Sequence, residues 1–359
     1  MKSVKYIGIT LLCVIVITSC YKGIDPISHV EPGEVMEAPV VAISYPDEGT
    51  QIRVKEDVTT LNIDFEVTDD IELQTITLSL DGNTIKSFSD FKDYRRLVRE
   101  YVYDNLTNGT HTLMISATDL SGKNNSRSVV FEKIEPYQTQ YDGENFYMPF
   151  DGDYLELVNI LNATKVGPPG FPTDAMEGKS YAGAASAYLT YPTSELQLGN
   201  EFSAAFWYKV NATPNRAGIL VIGPPDVASP NAMNDRTKGF RLFREDAAGK
   251  QRIKLNVGTG DGEGWFDGGA AADIDPTTNE WVFIAFTISS TQCVVYIDGT
   301  IVSQGSFSGV SWTGCDILSI ASGAPRFVGW DHLSDNSLID ELRLFNKALT
   351  QEEVQDMMN

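Results

Sequence analysis

From about Pro39 to Glu135 apolar and polar residues alternate with period two. In "TLNIDFEVTD" Leu61, Ile63, Phe65 and Val67 share one face, with Asn62, Asp64 and Glu66 on the other. That is the pattern of a strand buried on one side. "TITLSLDG" repeats it through Ile76, Leu78 and Leu80 and stops at Asp81-Gly82, a pair suited to a tight hairpin turn. "NGTHTLMISATDLSGKNN" opens on a turn and runs through Leu113, Ile115 and Ala117 to Gly122. His111 is in phase with this inward set, which assigns it a structural place near a sheet edge. Short strands with regular turn signals predict a small antiparallel sandwich over residues 39–136. Within it "FKDYRRLVREYVYDNL" gathers Lys92, Arg95, Arg96 and Arg99. A basic patch for an anionic ligand and a solvated strand or short helix both account for them, and the second is the simpler reading.

A second run of strand-like segments follows over residues 143–359: "NFYMPFDGDYLELV", "EFSAAFWYKV", "IKLNVGTG", "EWVFIAFTI", "QCVVYIDGTIVSQG" and "DILSIASG". They are short, rich in aromatic and β-branched residues, and divided by Gly, Pro and Asn, which predicts a jelly-roll sandwich and an all-β chain. Near the end, strict alternation in "LIDELRLF" puts Leu338, Asp340, Leu342 and Leu344 on one face. Ile339, Glu341, Arg343 and Phe345 take the other, as in a strand covered on both sides. Thr350 and Glu353 then form a Thr-x-x-Glu capping box, with Leu349 and Val354 placed as a hydrophobic staple for a short closing helix.

Charge and the amino terminus change this picture in two ways. The 359 residues carry 49 Asp and Glu against 27 Lys and Arg, a net charge of −22. Such a field repels polyphosphate, which excludes nucleic acid as a natural partner and disfavours anionic polysaccharides. Residues 1–19, "MKSVKYIGITLLCVIVITS", read as a processed leader with Lys2 and Lys5 ahead of an apolar run too short to span a membrane. The stretch Ile17-Thr18-Ser19-Cys20 resembles a bacterial lipobox, which implies an acylated Cys20 and attachment to a membrane surface without a span. Residues 20–38 are polar and punctuated by Pro and Gly, as a flexible tether is. Cys293 and Cys315 fall in strand-like segments of an exported chain, where a disulfide and two buried thiols are both open.

Two resemblances follow from these segments. "GTHTLMISATDLSGK" resembles the late strands of bacterial immunoglobulin-like domains. "FSAAFWYKV", "EWVFIAFTI…CVVYIDGTIV" and "LIDELRLFNKALTQEEV" resemble, in that order, the landmarks of laminin-G-like, concanavalin A-like domains. The arrangement is similar to surface glycan-binding lipoproteins of outer-membrane polysaccharide-utilisation systems. It implies an outer-membrane, cell-surface location, capture of a polysaccharide or oligosaccharide, and a partnering outer-membrane glycan transporter. The laminin-G-like resemblance also implies a calcium ion, with Asp151 and Asp153 in "FDGD" and Asp340 in "LIDEL" as metal ligands and Asp261 as a further candidate. Asp-Gly turn chemistry and edge-strand solubility are the alternative for each.

Catalysis lacks its usual marks. No Glu-x-Asp-x-Glu run occurs in residues 143–359, and strict alternation sends Asp340 and Glu341 to opposite faces. The three histidines are His29, His111 and His332, with no Gly-x-Ser-x-Gly elbow beside them. The expectation is therefore a binding protein and not an enzyme, with a protein-binding or adhesion module, or an unrecognised hydrolase or lyase, as alternatives. Sugars stack their C–H faces on aromatic rings and bond their hydroxyls to polar side chains. Trp207 and Trp281 fall in core-like strands, whereas Trp265, Trp312 and Trp330 fall in Gly- or Asp-rich contexts. All three are ligand-binding candidates: Trp265 and Trp330 read as ligand platforms, whereas for Trp312 a loop plug is the simpler alternative. "APRFVGWDHLSDNS" adds Arg326, Asp331, His332 and Asp335 as hydroxyl-bonding candidates. Arg236, Arg241 and Arg244, from "NDRTKGFRLFRED", are expected to pair with acids.

Overall fold

A computed structural model describes residues 37–359. The leader at 1–19, Cys20 and the tether as far as residue 36 lie outside the described residues. The described chain divides into two compact units, residues 37–51 with 60–133, and residues 52–59 with 134–359. Among the described residues no helix is long and apolar enough to cross a membrane.

The first unit is an antiparallel sandwich. One sheet orders Val40–Tyr45, Thr59–Thr68 and Arg96–Leu106; the other runs mainly through Asn124–Lys133, Gly109–Asp119, Leu73–Leu80 and Asn83–Phe88. Leu61, Ile63, Phe65 and Val67 are buried, as are Ile76, Leu78, Leu113, Ile115 and Ala117, so the period-two face is the core face. Asp81 and Gly82 both take positive φ, +51° and +79°, between the paired Leu80 and Asn83, the geometry of a two-residue type I′ hairpin turn. His111 is buried with both ring nitrogens engaged, Nδ1 at 2.7 Å from Asp81 Oδ2 and Nε2 at 2.8 Å from the Thr107 carbonyl. From Arg96 onward the basic run is a strand, in which Arg96 pairs with Glu66 and Arg99 lies over the Phe88 ring.

The second unit is a larger sandwich of two sheets. An eight-stranded sheet follows the order Thr164–Val166, Tyr188–Pro192, Ile317–Ile320, Arg216–Gly223, Phe240–Ala247, Lys250–Gly258 and Glu263–Asp267, with Asp273–Ile274 also on Lys250–Gly258. A seven-stranded sheet orders Tyr181–Ala182, Leu338–Phe345, Phe202–Lys209, Val282–Ile288, Gln292–Ile297 and Thr300–Ser306, with Glu144–Met148 also on Leu338–Phe345. Alternate residues of both sheets, such as Phe202, Phe206 and Tyr208 facing Phe240, Leu242 and Leu255, interdigitate in one core. Each strand therefore sends its other residues to an outer face.

Strict alternation fails within Leu338–Phe345. Ile339, Leu342 and Leu344 all enter the core, a spacing that period two forbids. The register against Phe202–Lys209 shifts between Ala205 and Trp207, and Glu341 takes φ +53°. A β-bulge there inserts one extra residue and turns both Asp340 and Glu341 to the outer face. The expectation that these carboxylates face opposite sides is thus corrected. The closing helix Gln351–Asp356 carries both halves of the Thr350–Glu353 capping box, and Leu349 and Val354 share one buried cluster.

A buried polar knot ties the sheets together at one end of the core. Arg244 donates to Asp335 Oδ1 through Nη2 at 2.8 Å and Nε at 3.2 Å, and both side chains are fully buried. Tyr208, from the opposite sheet, donates to Asp335 Oδ2 at 2.6 Å, and the Ser337 hydroxyl donates to Oδ1 at 2.7 Å. Cys293 and Cys315 are free thiols, not a disulfide, and burial pushes the Cys315 thiol up to about 11. Asp335→Ala leaves Arg244 charged in the interior, so equilibrium denaturation should show a loss of about 3–5 kcal/mol. Thr350→Ala, which removes an exposed cap, should cost only about 1 kcal/mol in the same measurement.

Candidate functional site

On the outer face of the eight-stranded sheet, alternation brings up Phe243 and Glu245, then Lys254 and Asn256 from the next strand, then Glu263, Trp265 and Asp267. The segment 323–335 lies over Phe243. His332 and Phe327 stack at 4.8 Å with their planes 15° apart, and each ring packs on Phe243, at 4.5 and 5.4 Å. Trp330 rests on Phe327 at 5.7 Å and stands parallel to Trp265, centroids 5.9 Å apart and planes 19° apart. The pair is open to solvent, Trp265 by 43% and Trp330 by 37%.

Charge fixes the pair in place. The Arg236 guanidinium lies 4.4 Å from the Trp330 ring centroid, and its Nε donates to Glu263 Oε2 at 2.8 Å. A cation over an indole face contributes about 0.5–1 kcal/mol at an exposed site. Arg216 Nη1 donates to the Trp330 carbonyl at 3.1 Å. Burial raises the Glu263 carboxyl, but hydrogen bonds from Arg236 and Asn256 and the Arg236 charge outweigh it and hold it below the ordinary range. Beside this corner opens a cleft of about 770 Å³ lined by Val166, Tyr188, Pro214, Arg216, Asp331 and Leu333. Asp331 is exposed at φ +61°, so the turn that presents Trp330 to the pair presents Asp331 to the cleft.

Of the residues expected to bind ligand, Trp265, Trp330 and Asp331 come together at one surface. The others take different roles. His332 is fully buried behind the tryptophans, with Nε2 at 3.1 Å from Glu245 Oε1. Burial pushes its imidazole down to about 4, against the pull of Glu245. Asp335 is held by Arg244, and Arg326 forks onto Asp316 at 2.8 and 2.6 Å. Trp312 packs on Phe202 at 5.5 Å and donates its indole N–H to the Gly199 carbonyl at 2.8 Å, so it closes the core.

The calcium expectation meets a poor donor set. Asp340 is buried, and its oxygens accept the backbone N–H groups of Met176, Glu177 and Glu341 at 2.7, 3.1 and 3.0 Å. Burial pushes its carboxyl up to about 7. Asp151 accepts from Lys179 N at 2.8 Å and Asp153 from Leu155 N at 3.0 Å. Among the described residues no three His, Cys, Asp or Glu side chains converge as a metal site. These aspartates do not fit a shared calcium ion; they organise turns.

Sequence reading missed Arg216 and Tyr188, which lie far from the tryptophan motifs and reach the cleft only through sheet order. It also placed Trp207 in the core. Its neighbours Phe206 and Tyr208 face inward, and Trp207 packs against Phe283 at 5.1 Å on the outer face of the seven-stranded sheet. The alternation in "FSAAFWYK" carried that signal. Trp281 donates its indole N–H to Asp174 at 3.1 Å and is likewise outside the core.

Comparison with known proteins gives the following. Residues 183–355 match the family model described as the concanavalin A-like lectin/glucanases superfamily, and residues 39–115 match that of a bacterial Ig domain. No curated protein sequence matches the chain. Among solved structures, domain 4 of an extracellular arabinanase from Geobacillus stearothermophilus, in complex with arabinotriose, is 19% identical with TM-score 0.46. That match covers 60% of this chain and 98% of the other. The binding domain of Paraclostridial Mosquitocidal Protein 1 is 16% identical with TM-score 0.43, covering 61% of this chain and 52% of the other. The botulinum neurotoxin serotype C1 binding domain is 14% identical with TM-score 0.42, again covering 61% and 52%. The chain carries an immunoglobulin-like domain followed by a concanavalin A-like domain.

Proposed function

We propose that the concanavalin A-like domain binds a neutral glycan without cleaving it, on the surface formed by Trp265, Trp330 and the adjoining cleft. One observation carries this reading: two tryptophans 65 residues apart in sequence meet as a parallel, solvent-open pair beside a cleft with Arg216 and Asp331. Keeping indole area in water costs solubility unless a ligand covers it. A pyranose offers apolar C–H faces to such rings and hydroxyls to the charged groups at their rim. The superfamily matched by residues 183–355 is described as lectins and glucanases, which agrees in ligand class. The meeting of both tryptophans beside one cleft favours a glycan over the broad flat patch of an adhesion module.

The site itself argues for binding without chemistry. Glu245 and Glu263 are engaged by Lys254 and Arg236, and burial keeps His332 neutral behind the rings. Carboxylates already held by cations are poor proton donors, which supports the binding reading. In the wider reading, acylation of Cys20 tethers the chain to the outer membrane, the immunoglobulin-like domain serves as a spacer, and captured oligosaccharide passes to an outer-membrane transporter.

Affinity electrophoresis of the intact chain in gels of arabinan, xylan, galactomannan or mixed-linkage β-glucan tests this. At least one polymer should retard the protein, and Trp265→Ala or Trp330→Ala should each weaken that affinity at least about tenfold. Release of reducing ends from the retained polymer would overturn the non-catalytic reading. Acid should also weaken the platform through His332. Above pH 6.5 its imidazole is neutral folded and unfolded; between 6.5 and about 4 only the unfolded chain takes the proton. Stability should therefore fall more steeply across that window in the wild type than in His332→Phe, as read by thermal melts at each pH.

A further inference from the structure

The seven-stranded sheet has an aromatic outer face of its own. Trp207 and Phe283 form its floor, and the β-bulge at Glu341 brings a carboxylate up beside them. A cleft of about 560 Å³ opens there, with Tyr141, Glu177, Glu341 and Arg343 also in its lining. Its wall is built with care. The buried Asp340 carboxylate takes the backbone N–H groups of Met176 and Glu177, which fixes the backbone that carries the exposed Glu177 at the rim. The Tyr147 hydroxyl donates to both Glu341 oxygens at 2.8 and 2.9 Å, and Arg343 Nη2 donates to Oε2 at 2.8 Å. Glu341 holds a left-handed backbone at φ +53° without being glycine, a conformation that persists only where its surroundings impose it.

The contents of the cleft select the ligand class. Arg343 lies 3.7 Å from the Tyr147 ring centroid and 5.4 Å from that of Tyr141, so the chain's own cation already covers those faces. Arg343 is also paired with Glu144 at 2.6 Å and with Glu341 at 2.8 Å, so its charge is compensated, and an anionic ligand would meet the exposed Glu177. A neutral polyhydroxylated ligand escapes that repulsion: it can stack on Trp207 and bond its hydroxyls to the exposed Glu177 carboxylate.

We propose that this cleft is a second glycan-binding site, on the opposite outer face of the sandwich from Trp265 and Trp330, so that one domain binds two glycan segments at once. The proposal rests on the glycan-binding reading of the first site and deepens it. Two sites facing away from each other join separate polymer strands or distant parts of one strand, and they raise avidity for polymer over short oligosaccharide.

The test uses the intact protein with whichever of the four polymers retards it, and with an oligosaccharide prepared from that polymer. Calorimetric titration should saturate at two oligosaccharides per chain for the wild type and at one for Trp207→Ala, Glu177→Ala and Trp265→Ala. Mixing with polymer should produce turbidity in the wild type only. Because Trp207 is half-buried, Glu177→Ala at an exposed position serves as the variant that leaves packing untouched, with its melting temperature as control. Saturation at one per chain in the wild type, or unchanged stoichiometry in both Trp207→Ala and Glu177→Ala, overturns the second site while the first stands. Failure of the wild type to bind any of the four polymers overturns both.

Discussion

The ion pair between Arg244 and Asp335 is the constraint on which the candidate surface depends. Arg244 comes from the eight-stranded sheet, Tyr208 from the seven-stranded one, and Asp335 from the segment that carries Trp330. Burying two charges is unfavourable unless every lone pair and proton is used. Here Asp335 accepts from Arg244, Tyr208, Ser337 and the Ser337 backbone N–H. Such a group tolerates few arrangements, so it fixes where the preceding loop can run.

From that anchor the loop is held layer by layer. His332 and Phe327 settle on Phe243, Trp330 settles on Phe327, and Trp265 comes alongside from its own strand. Arg216 and Arg236 then fix Trp330 by its carbonyl and its ring. The open aromatic surface is preorganised, which limits the ordering entropy a ligand must overcome. The same logic governs the other sheet, where Asp340 uses buried hydrogen bonds to hold a wall around Trp207.

Local pattern made much of the fold legible. The inward set Leu61 to Val67, the Asp81-Gly82 turn and the Thr350–Glu353 box each follow from neighbours within a few residues. The candidacy of Trp265 and Trp330 was legible as composition, since both sit among Gly and Asp; that they meet was not. What stayed hidden depends on partners distant in sequence or on a single inserted residue. Asp335 reads as a surface acid until Arg244, 91 residues away, arrives to neutralise it. Trp312 reads as a loop residue until Phe202 and Phe240 close on it. The bulge at Glu341 leaves no mark in a period-two reading, yet it turns two carboxylates to one face and creates the wall of a cleft.

The central claim is that Trp265 and Trp330 together form a glycan platform. The most direct measurement is a glycan array probed in parallel with the intact protein and with its Trp265→Ala/Trp330→Ala double variant. The account predicts that the wild type binds a coherent set of neutral glycans and that the double variant loses most of that signal while melting at a similar temperature. A wild type that binds no glycan on the array, or a double variant that keeps the full pattern, would contradict it.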